Sequence, residues 1–190
     1  MAEAVNLNLQ YRQVPELSTL QIIDRKIPGP DFLYTFSDKL FKMPRNNKEH
    51  FMRAALAEAN KAFDKQEVPI GAVVVCNDMI IARAHNLTET LRDPTAHAEM
   101  QAITAATNWM GGKYLSDCTI YVTLEPCAMC AGAIGWSQAS ALVFGASDEK
   151  KGFKTVSGPL LHPKTSVESG LLEKECRELL TRFFKNRRYV

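Results

Sequence analysis

Residues 118–134 read CTIYVTLEPCAMCAGAI, and the character of the chain changes at Glu125 and Pro126 within this stretch. The residues before Glu125 are mostly apolar and β-branched, which is typical of a buried strand. Proline is favoured in the first turn of a helix, so Pro126 predicts that a helix starts directly after the strand. Cys127 and Cys130 are three residues apart and would lie on one face of this helix. The stretch therefore predicts a strand-to-helix turn that carries two neighbouring thiols.

A second motif, His97-Ala98-Glu99, lies thirty residues before the first of these cysteines. Residues 96–109 are rich in alanine and are followed by two glycines, which predicts a helix that begins at this motif. One imidazole and two thiolates would supply three protein ligands, as in a catalytic zinc site whose fourth position stays open to water. Glu99 is then the expected proton carrier. The combination H-x-E…P-C-x-x-C is the signature of zinc-dependent base deaminases.

The alternative is a structural zinc site that is closed by a fourth protein ligand. The conjunction of the two motifs, each at a predicted strand-to-helix turn, favours the catalytic interpretation over this alternative. The possible fourth ligands are Cys76, His85, Cys118 and His162, none of which has a spacing that pairs with His97.

Strands and helices alternate along most of the chain, which predicts a layered α/β sheet with helices on both faces. The strands are short and rich in β-branched residues, and the helices show apolar residues at helical spacing. Asn77-Asp78 predicts a hairpin turn between the first two strands. The predicted strands are 69–76, 79–85, 118–124, 141–145 and 166–168, and the predicted helices are 47–65, 96–109, a segment that starts at 126, and 171–186.

The composition is that of a globular chain of one domain with an appendage. Of the 190 residues, 46% are hydrophobic and 23% are charged, and the net charge is +2. Residues 1–44 contain four prolines and are predicted to be an N-terminal extension of unknown role, while residues 45–190 form the patterned domain. No run approaches the roughly 18 apolar residues that a membrane span needs. We therefore expect a protein with no membrane association.

The five cysteines and the absence of a secretory signal in the sequence predict a cytoplasmic location, where thiols serve metals and packing. Cys76, Cys118 and Cys176 lie in apolar or helical patterns and are predicted to be small core residues. Trp109 and Trp136 are predicted to pack within the helical layers rather than to stack on nucleotides.

Several segments resemble the zinc-dependent cytidine and purine deaminase superfamily, in particular its bacterial tRNA adenosine deaminases. The resemblance covers the chain from about residue 47 to its end. It implies a three-layer α/β/α cytidine-deaminase-like fold with a mixed five-stranded central sheet. The matching segments are EVPIGAV at 67–73, Asn86, DPTAHAE at 93–99, YVTLEPCAMCAGAI at 121–134, VFGA at 143–146 with Asp148, and FFKNRR at 183–188.

The resemblance implies hydrolytic deamination of adenosine to inosine at the wobble position of a tRNA anticodon, by a homodimer with one Zn²⁺ per subunit. A zinc-activated water would attack C6 of adenine while Glu99 shuttles protons. His97, Cys127 and Cys130 would hold the zinc. The substrate contacts that it implies are Asn86, whose amide would reach N7 of adenine, Ile70, Ala98 and Glu125, which would wall the base pocket, and Asp148, which would contact the ribose.

The resemblance also implies that the basic C-terminal helix end and the lysines of the loop at 150–154 face the phosphates of the tRNA anticodon stem-loop. Two other functions remain open from the motifs alone: deamination of a free base or nucleotide such as guanine, cytosine or dCMP, and a non-catalytic zinc-containing RNA-binding subunit. The presence of Glu99 disfavours the non-catalytic alternative. The basic residues are Lys150, Lys151, Lys154, Arg182, Lys185, Arg187 and Arg188.

Overall fold

The computed structural model describes residues 48–187, and the predicted N-terminal extension, residues 1–44, lies outside this range. Helices and strands alternate over the described residues, as the sequence predicts. The helices are α1 (Lys48–Asp64), α2 (Thr88–Leu91), α3 (Ala98–Met110), α4 (Ala128–Ser137) and α5 (Glu173–Arg187), and the strands are β1 (Gly71–Cys76), β2 (Met79–His85), β3 (Cys118–Leu124), β4 (Ala141–Ala146) and β5 (Ser166–Ser169).

The five strands form one mixed sheet in the order β2-β1-β3-β4-β5. β1 is antiparallel to both β2 and β3, whereas β3, β4 and β5 run parallel. Asn77 and Asp78 connect β1 to β2 with positive φ angles of 50° and 59°, as a two-residue hairpin turn requires. The predicted mixed five-stranded sheet is confirmed. Its topology brings the start of β1 and the ends of β2, β3 and β4 to the same edge.

Each face of the sheet is covered by helices, and alternate residues of the strands point to opposite sides. On one face, Val74 belongs to a core with Ala102 of α3 and Ile134 of α4. On the other face, Val73 belongs to a core with Met52 of α1 and Cys176 of α5. This arrangement is the three-layer α/β/α architecture, with the sheet in the middle.

Helix α1 approaches the start of β1 so closely that only glycine fits there. A Cβ atom on Gly71 would lie 2.1 Å from the backbone oxygen of Ala55 and 2.4 Å from the backbone nitrogen of Ala59. Neither backbone atom can move without shifting the helix. This contact sets the position of the segment that enters β1.

Two helix starts near the His97 and Cys127 motifs differ from the sequence-based expectations, and one short helix was not expected. α4 begins at Ala128 rather than at Pro126, because Cys127 has extended backbone angles and is the N-cap residue. α3 begins at Ala98 with His97 as its N-cap. The short helix α2 is not predicted, since four residues are too few to show a helical period.

The exposure of the two tryptophans contradicts the prediction that they pack within the helical layers. Trp136 is 82% exposed and Trp109 is 56% exposed. The residues of α4 that face the core include Cys130 and Ile134, and Trp136 projects from a different side of the helix. Buried positions are confirmed for Cys76, Cys118 and Cys176. Among residues 48–187, no helix combines the length and the apolarity needed to cross a bilayer.

Candidate metal centre

Two helix N-termini bring His97, Cys127 and Cys130 together. His97 is the N-cap residue of α3, and Cys127 is the N-cap residue of α4. Cys130 is buried in the first turn of α4. Because β3 ends at Leu124, three residues before Cys127, the turn after this strand delivers the thiols to the sheet edge. The partial positive charge of the helix N-termini favours anionic ligands there.

The distances within this group fit a tetrahedral zinc ion. Nδ1 of His97 lies 3.7 Å from Sγ of Cys127 and 3.4 Å from Sγ of Cys130. With Zn–S near 2.3 Å and Zn–N near 2.0–2.1 Å, tetrahedral nitrogen and sulfur ligands lie about 3.6 Å apart. All three ligand atoms lie within 4.8 Å of one another. The group can therefore hold a metal ion without rearrangement.

The thiol of Cys127 is prepared for metal binding. Its hydrogen bonds with Cys130 and His97 lower the pKa of Cys127 to about 3. The thiolate, which is the form that binds metals, is therefore the dominant form at neutral pH. The same contact with Cys127, together with burial, raises the pKa of Cys130. A divalent cation would replace this proton and stabilise both thiolates.

Glu99 lies one residue inside α3 and is only 3% exposed. Within residues 48–187, its Oε2 is the one buried side-chain oxygen or nitrogen without a hydrogen-bond partner. Burial raises the pKa of the Glu99 carboxyl. A buried carboxylate oxygen without a partner is costly unless it serves a bound group. Glu99 therefore has the environment of a residue that exchanges protons with a substrate.

Glu125 fixes a loop beside the cysteines through its side chain. Its Oε1 accepts the N–H of Lys154 at 3.1 Å, and its Oε2 accepts the N–H of Asp148 at 3.3 Å. A Cβ atom on Gly152 would lie 2.5 Å from the Glu125 carboxyl group, so the loop passes directly over it. The Phe153 N–H also donates to the carbonyl oxygen of Pro126 at 2.8 Å. The loop 148–154 is thus attached to the turn that carries the thiols.

Glu67 fixes the start of α2 through its side chain, as Glu125 fixes the loop 148–154. It is fully buried, and its Oε1 accepts the N–H of Thr90 at 2.7 Å. Its Oε2 accepts hydrogen bonds from the N–H of Glu89, the hydroxyl of Thr88 and the amide of Asn86. Burial opposes the charge of Glu67, but the N–H groups of Thr90 and Glu89 hold its pKa below the usual value. The carboxylate therefore satisfies the free N–H groups in the first turn of α2.

The remaining expected substrate contacts are found near the same edge. Asn86 is 3% exposed and follows β2, and Ile70 directly precedes β1. Ala98 is the buried first residue of α3. Asp148 Oδ1 accepts the N–H groups of Lys150 and Lys151 at 2.9 and 3.0 Å, so part of this carboxylate stabilises its own turn.

Of the seven basic residues, Lys151 is exposed on the loop 148–154, and five others divide into two groups. Lys150 and Lys185 line a surface cavity of about 580 Å³ with Arg177, Leu124 and the half-exposed Phe184. The cations of three others lie over aromatic rings at 4.6 to 5.0 Å from the ring centres, where cation–π attraction stabilises them. These three are Lys154 over Phe144, Arg182 over Phe63, and Arg187 over Phe183; Arg188 lies outside the described residues.

Comparisons with known proteins place this arrangement in a class of enzymes. The family model of MafB19-like deaminases matches residues 46–188. The tRNA-specific adenosine deaminase of Aquifex aeolicus is 47% identical over 146 residues, which cover 74% of this chain and 96% of that protein. The fold is therefore that of a deaminase, and the chain belongs to the tRNA-specific adenosine deaminase family.

Solved structures of deaminases also resemble this protein in fold and sequence. One, from a study of A-to-I editing by tRNA:A34 deaminases at the wobble position, has a TM-score of 0.65 and 45% identity. It matches 69% of this chain and 99% of that chain. Guanine deaminase from Nitrosomonas europaea has a TM-score of 0.62 but 25% identity, over 72% of this chain and 84% of that chain. The fold is shared with this guanine deaminase, whereas the chain is more identical to the Aquifex aeolicus enzyme and to the A34 deaminase.

Proposed function

We propose that this protein converts adenosine to inosine at the wobble position of a tRNA anticodon. The observation that carries the proposal is the His97-Cys127-Cys130 group beside the buried, unpartnered Oε2 of Glu99. In the reaction, the oxygen of water forms a bond to C6 of adenine and the bond from C6 to the exocyclic nitrogen breaks, which releases ammonia. The level of identity to tRNA-specific adenosine deaminases supports the RNA substrate over a free base.

His97, Cys127 and Cys130 would hold one Zn²⁺ in each subunit, as their spacing allows. When bound, zinc supplies a Lewis acid that lets water lose a proton near neutral pH. Glu99 would carry one proton of the water to ring nitrogen N1 and then the second proton, from the new hydroxyl group on C6, to the departing amine, which leaves as ammonia. Ile70, Ala98 and the backbone at Glu125 enclose the base, and Asn86 donates to N7. Asp148 uses its remaining oxygen for the ribose.

The surface beside the centre suits a nucleic acid. Lys150 and Lys185 would pair with phosphates, and Phe184, which is 46% exposed, offers a ring face for stacking. Arg177 in the same cavity is paired with Glu173 at 2.6 Å. Leu124 belongs to the same cavity and is the last residue of β3, so the basic surface begins next to the cysteine turn. An anticodon loop held by these residues would place one extruded nucleotide at the metal centre.

The decisive measurement is inosine formation by the zinc-loaded protein. The substrate is an anticodon stem-loop with adenosine at the wobble position, and guanine, cytosine and dCMP are tested in parallel. We expect inosine at that position and no ammonia from the three small molecules. A stem-loop with the adenosine moved to a stem base pair is the matched control, because a paired base cannot enter the pocket. Ammonia only from a free base or nucleotide would overturn the RNA substrate.

The protein acts as a homodimer in this proposal, and the exposed face of α4 is part of the interface. Met129, Gly132, Ala133 and Trp136 occupy positions i, i+3, i+4 and i+7, so they form one stripe along the helix. Trp136 is 82% exposed in the isolated chain, and exposed tryptophans are enriched in protein interfaces. The free thiols of the buried cysteines support a reducing compartment, and the cytoplasm is the proposed location.

Changing Trp136 to glutamate is expected to weaken the dimer by at least about tenfold, since large interface aromatics contribute more than 1 kcal/mol and the new charge would be buried. Sedimentation velocity over a range of protein concentrations measures the effect. Trp109→Glu is the matched control, because this tryptophan is also exposed but lies at the end of α3. If the Trp136→Glu protein dimerises as well as the unchanged one, this face of α4 is not part of the dimer interface.

A further inference from the structure

The proposed function assigns Asn86 to N7 of adenine but does not explain what holds the Asn86 amide in the right orientation. An asparagine amide can present either its NH₂ group or its carbonyl oxygen, and only the NH₂ group can donate to a ring nitrogen. The two orientations differ by half a turn about one bond. Selection of a purine with an acceptor at N7 therefore needs a group that fixes the amide.

Glu67 is the group placed to do this. An ionised carboxylate can only accept hydrogen bonds, so the Asn86 atom that faces it must be the NH₂ nitrogen. The distance from Asn86 Nδ2 to Glu67 Oε2 is 3.2 Å. Glu67 is itself fully buried and is held by three further donors, the hydroxyl of Thr88 and the N–H groups of Glu89 and Thr90.

The two acceptors of the Asn86 amide lie close enough together for a single N–H to serve both. Its Nδ2 also lies 3.0 Å from Thr88 Oγ1, and that hydroxyl lies 3.3 Å from the same Glu67 oxygen. The three distances place the two acceptors about 60° apart as seen from Nδ2, whereas the two N–H bonds of an amide diverge by about 120°. A single N–H directed between them can reach both acceptors, and in that orientation the second N–H is available to N7.

The backbone places Asn86 next to the metal centre. The N–H of Leu87 donates to the carbonyl oxygen of Ala96 at 3.0 Å, directly before His97. The N–H of Asn86 donates to the carbonyl oxygen of Ile70 at 3.0 Å. Both ends of the residue are thus tied to chain segments that border the proposed base pocket.

We infer that Glu67 is a positioning residue for substrate selection, which orients the Asn86 amide so that its free N–H meets N7 of the target purine. The inference rests on the proposed function and adds the residue that enforces its base contact. Thr88 assists as the second acceptor. Glu67 does not touch the substrate and acts through Asn86.

The test compares adenosine with 7-deazaadenosine at the wobble position of the same stem-loop, for the zinc-loaded unchanged protein and for Glu67→Met. 7-Deazaadenosine has carbon in place of N7, and its altered intrinsic reactivity cancels when the ratio of kcat/KM values is compared between proteins. In Glu67→Met this ratio is expected to fall by about fivefold or more, because one hydrogen bond to the base is lost only for adenosine. A purely structural role would lower both rates equally and leave the ratio unchanged.

Glu58→Met is the matched control, since Glu58 is also buried but pairs with His85 and Lys61 instead of Asn86. In Glu58→Met, the ratio of kcat/KM for adenosine to kcat/KM for 7-deazaadenosine is expected to equal that of the unchanged protein. If Glu67→Met does not fold, Thr88→Val decides the question, and its ratio is expected to fall by a smaller factor. An unchanged ratio in the folded variant overturns the inference while the function stands. A zinc-loaded protein that forms no inosine overturns the function itself.

Discussion

Glu99→Gln is expected to lower the rate of deamination by at least about a hundredfold, the typical contribution of a general acid–base group. Glutamine has the same size but cannot take up a proton at neutral pH. Because Glu99 is 3% exposed, water has little access to replace it. Single-turnover inosine formation on the anticodon stem-loop, with the protein in excess, measures the chemical step.

The substitution Glu99→Gln should lower the rate of the chemical step and leave binding of zinc and RNA unchanged. Zinc content and stem-loop affinity of Glu99→Gln are expected to match the unchanged protein, since Glu99 is not one of the three grouped ligands. Glu58→Gln provides the control, because it removes a buried carboxylate on α1 that contacts His85 and Lys61. Near-normal turnover of Glu99→Gln would rule out its role as proton shuttle.

Cys127→Ala is expected to reduce bound zinc from about one ion per chain to well below half, because only two protein ligands would remain. Removal of this thiol also leaves His97 Nδ1 with Cys130 as its one neighbour in the ligand group. Metal analysis after gel filtration gives the zinc content, and deamination is expected to disappear with it. Since the metal stabilises the folded state, the midpoint of thermal unfolding is expected to fall as well.

Cys176→Ala separates the loss of a ligand from the loss of a buried thiol. Cys176 is 1% exposed and packs on the other face of the sheet, against Gly145. This variant is expected to keep its zinc and its activity. Full zinc occupancy in Cys127→Ala would show that another residue supplies the third ligand.

The fold and the grouping of His97, Cys127 and Cys130 could be predicted because their signals are local in sequence. The strand from Cys118 to Leu124 shows its apolar pattern directly, and the thiols that follow are one helical turn apart. The starts of α3 and α4 were each placed two residues too early, since His97 and Cys127 are N-cap residues and Pro126 precedes the N-cap instead of following it. The ligands therefore sit partly on extended backbone, which periodicity alone does not reveal.

The two carboxylates that hold the loops around the site could not be assigned this role from local sequence patterns. Glu67 and Glu125 bind backbone N–H groups that lie 22 to 29 residues away in the chain. Backbone donors carry no side-chain signature, so the sequence shows two glutamates with no visible partner. Trp136 was misplaced because its apolar side chain predicts burial, whereas single apolar side chains are also common on protein surfaces.

The hairpin at Asn77-Asp78 lies at the end of the sheet opposite the cysteines, because β1 and β2 both have their other ends at the site. None of the grouped ligands and neither supporting carboxylate comes from that end. Chain growth there would lengthen an exposed turn and leave the catalytic geometry in place. One end of the sheet thus carries the residues of the site, and the opposite end can accept inserted residues. The turn at 77–78 is therefore the preferred position for attaching a reporter or a second domain.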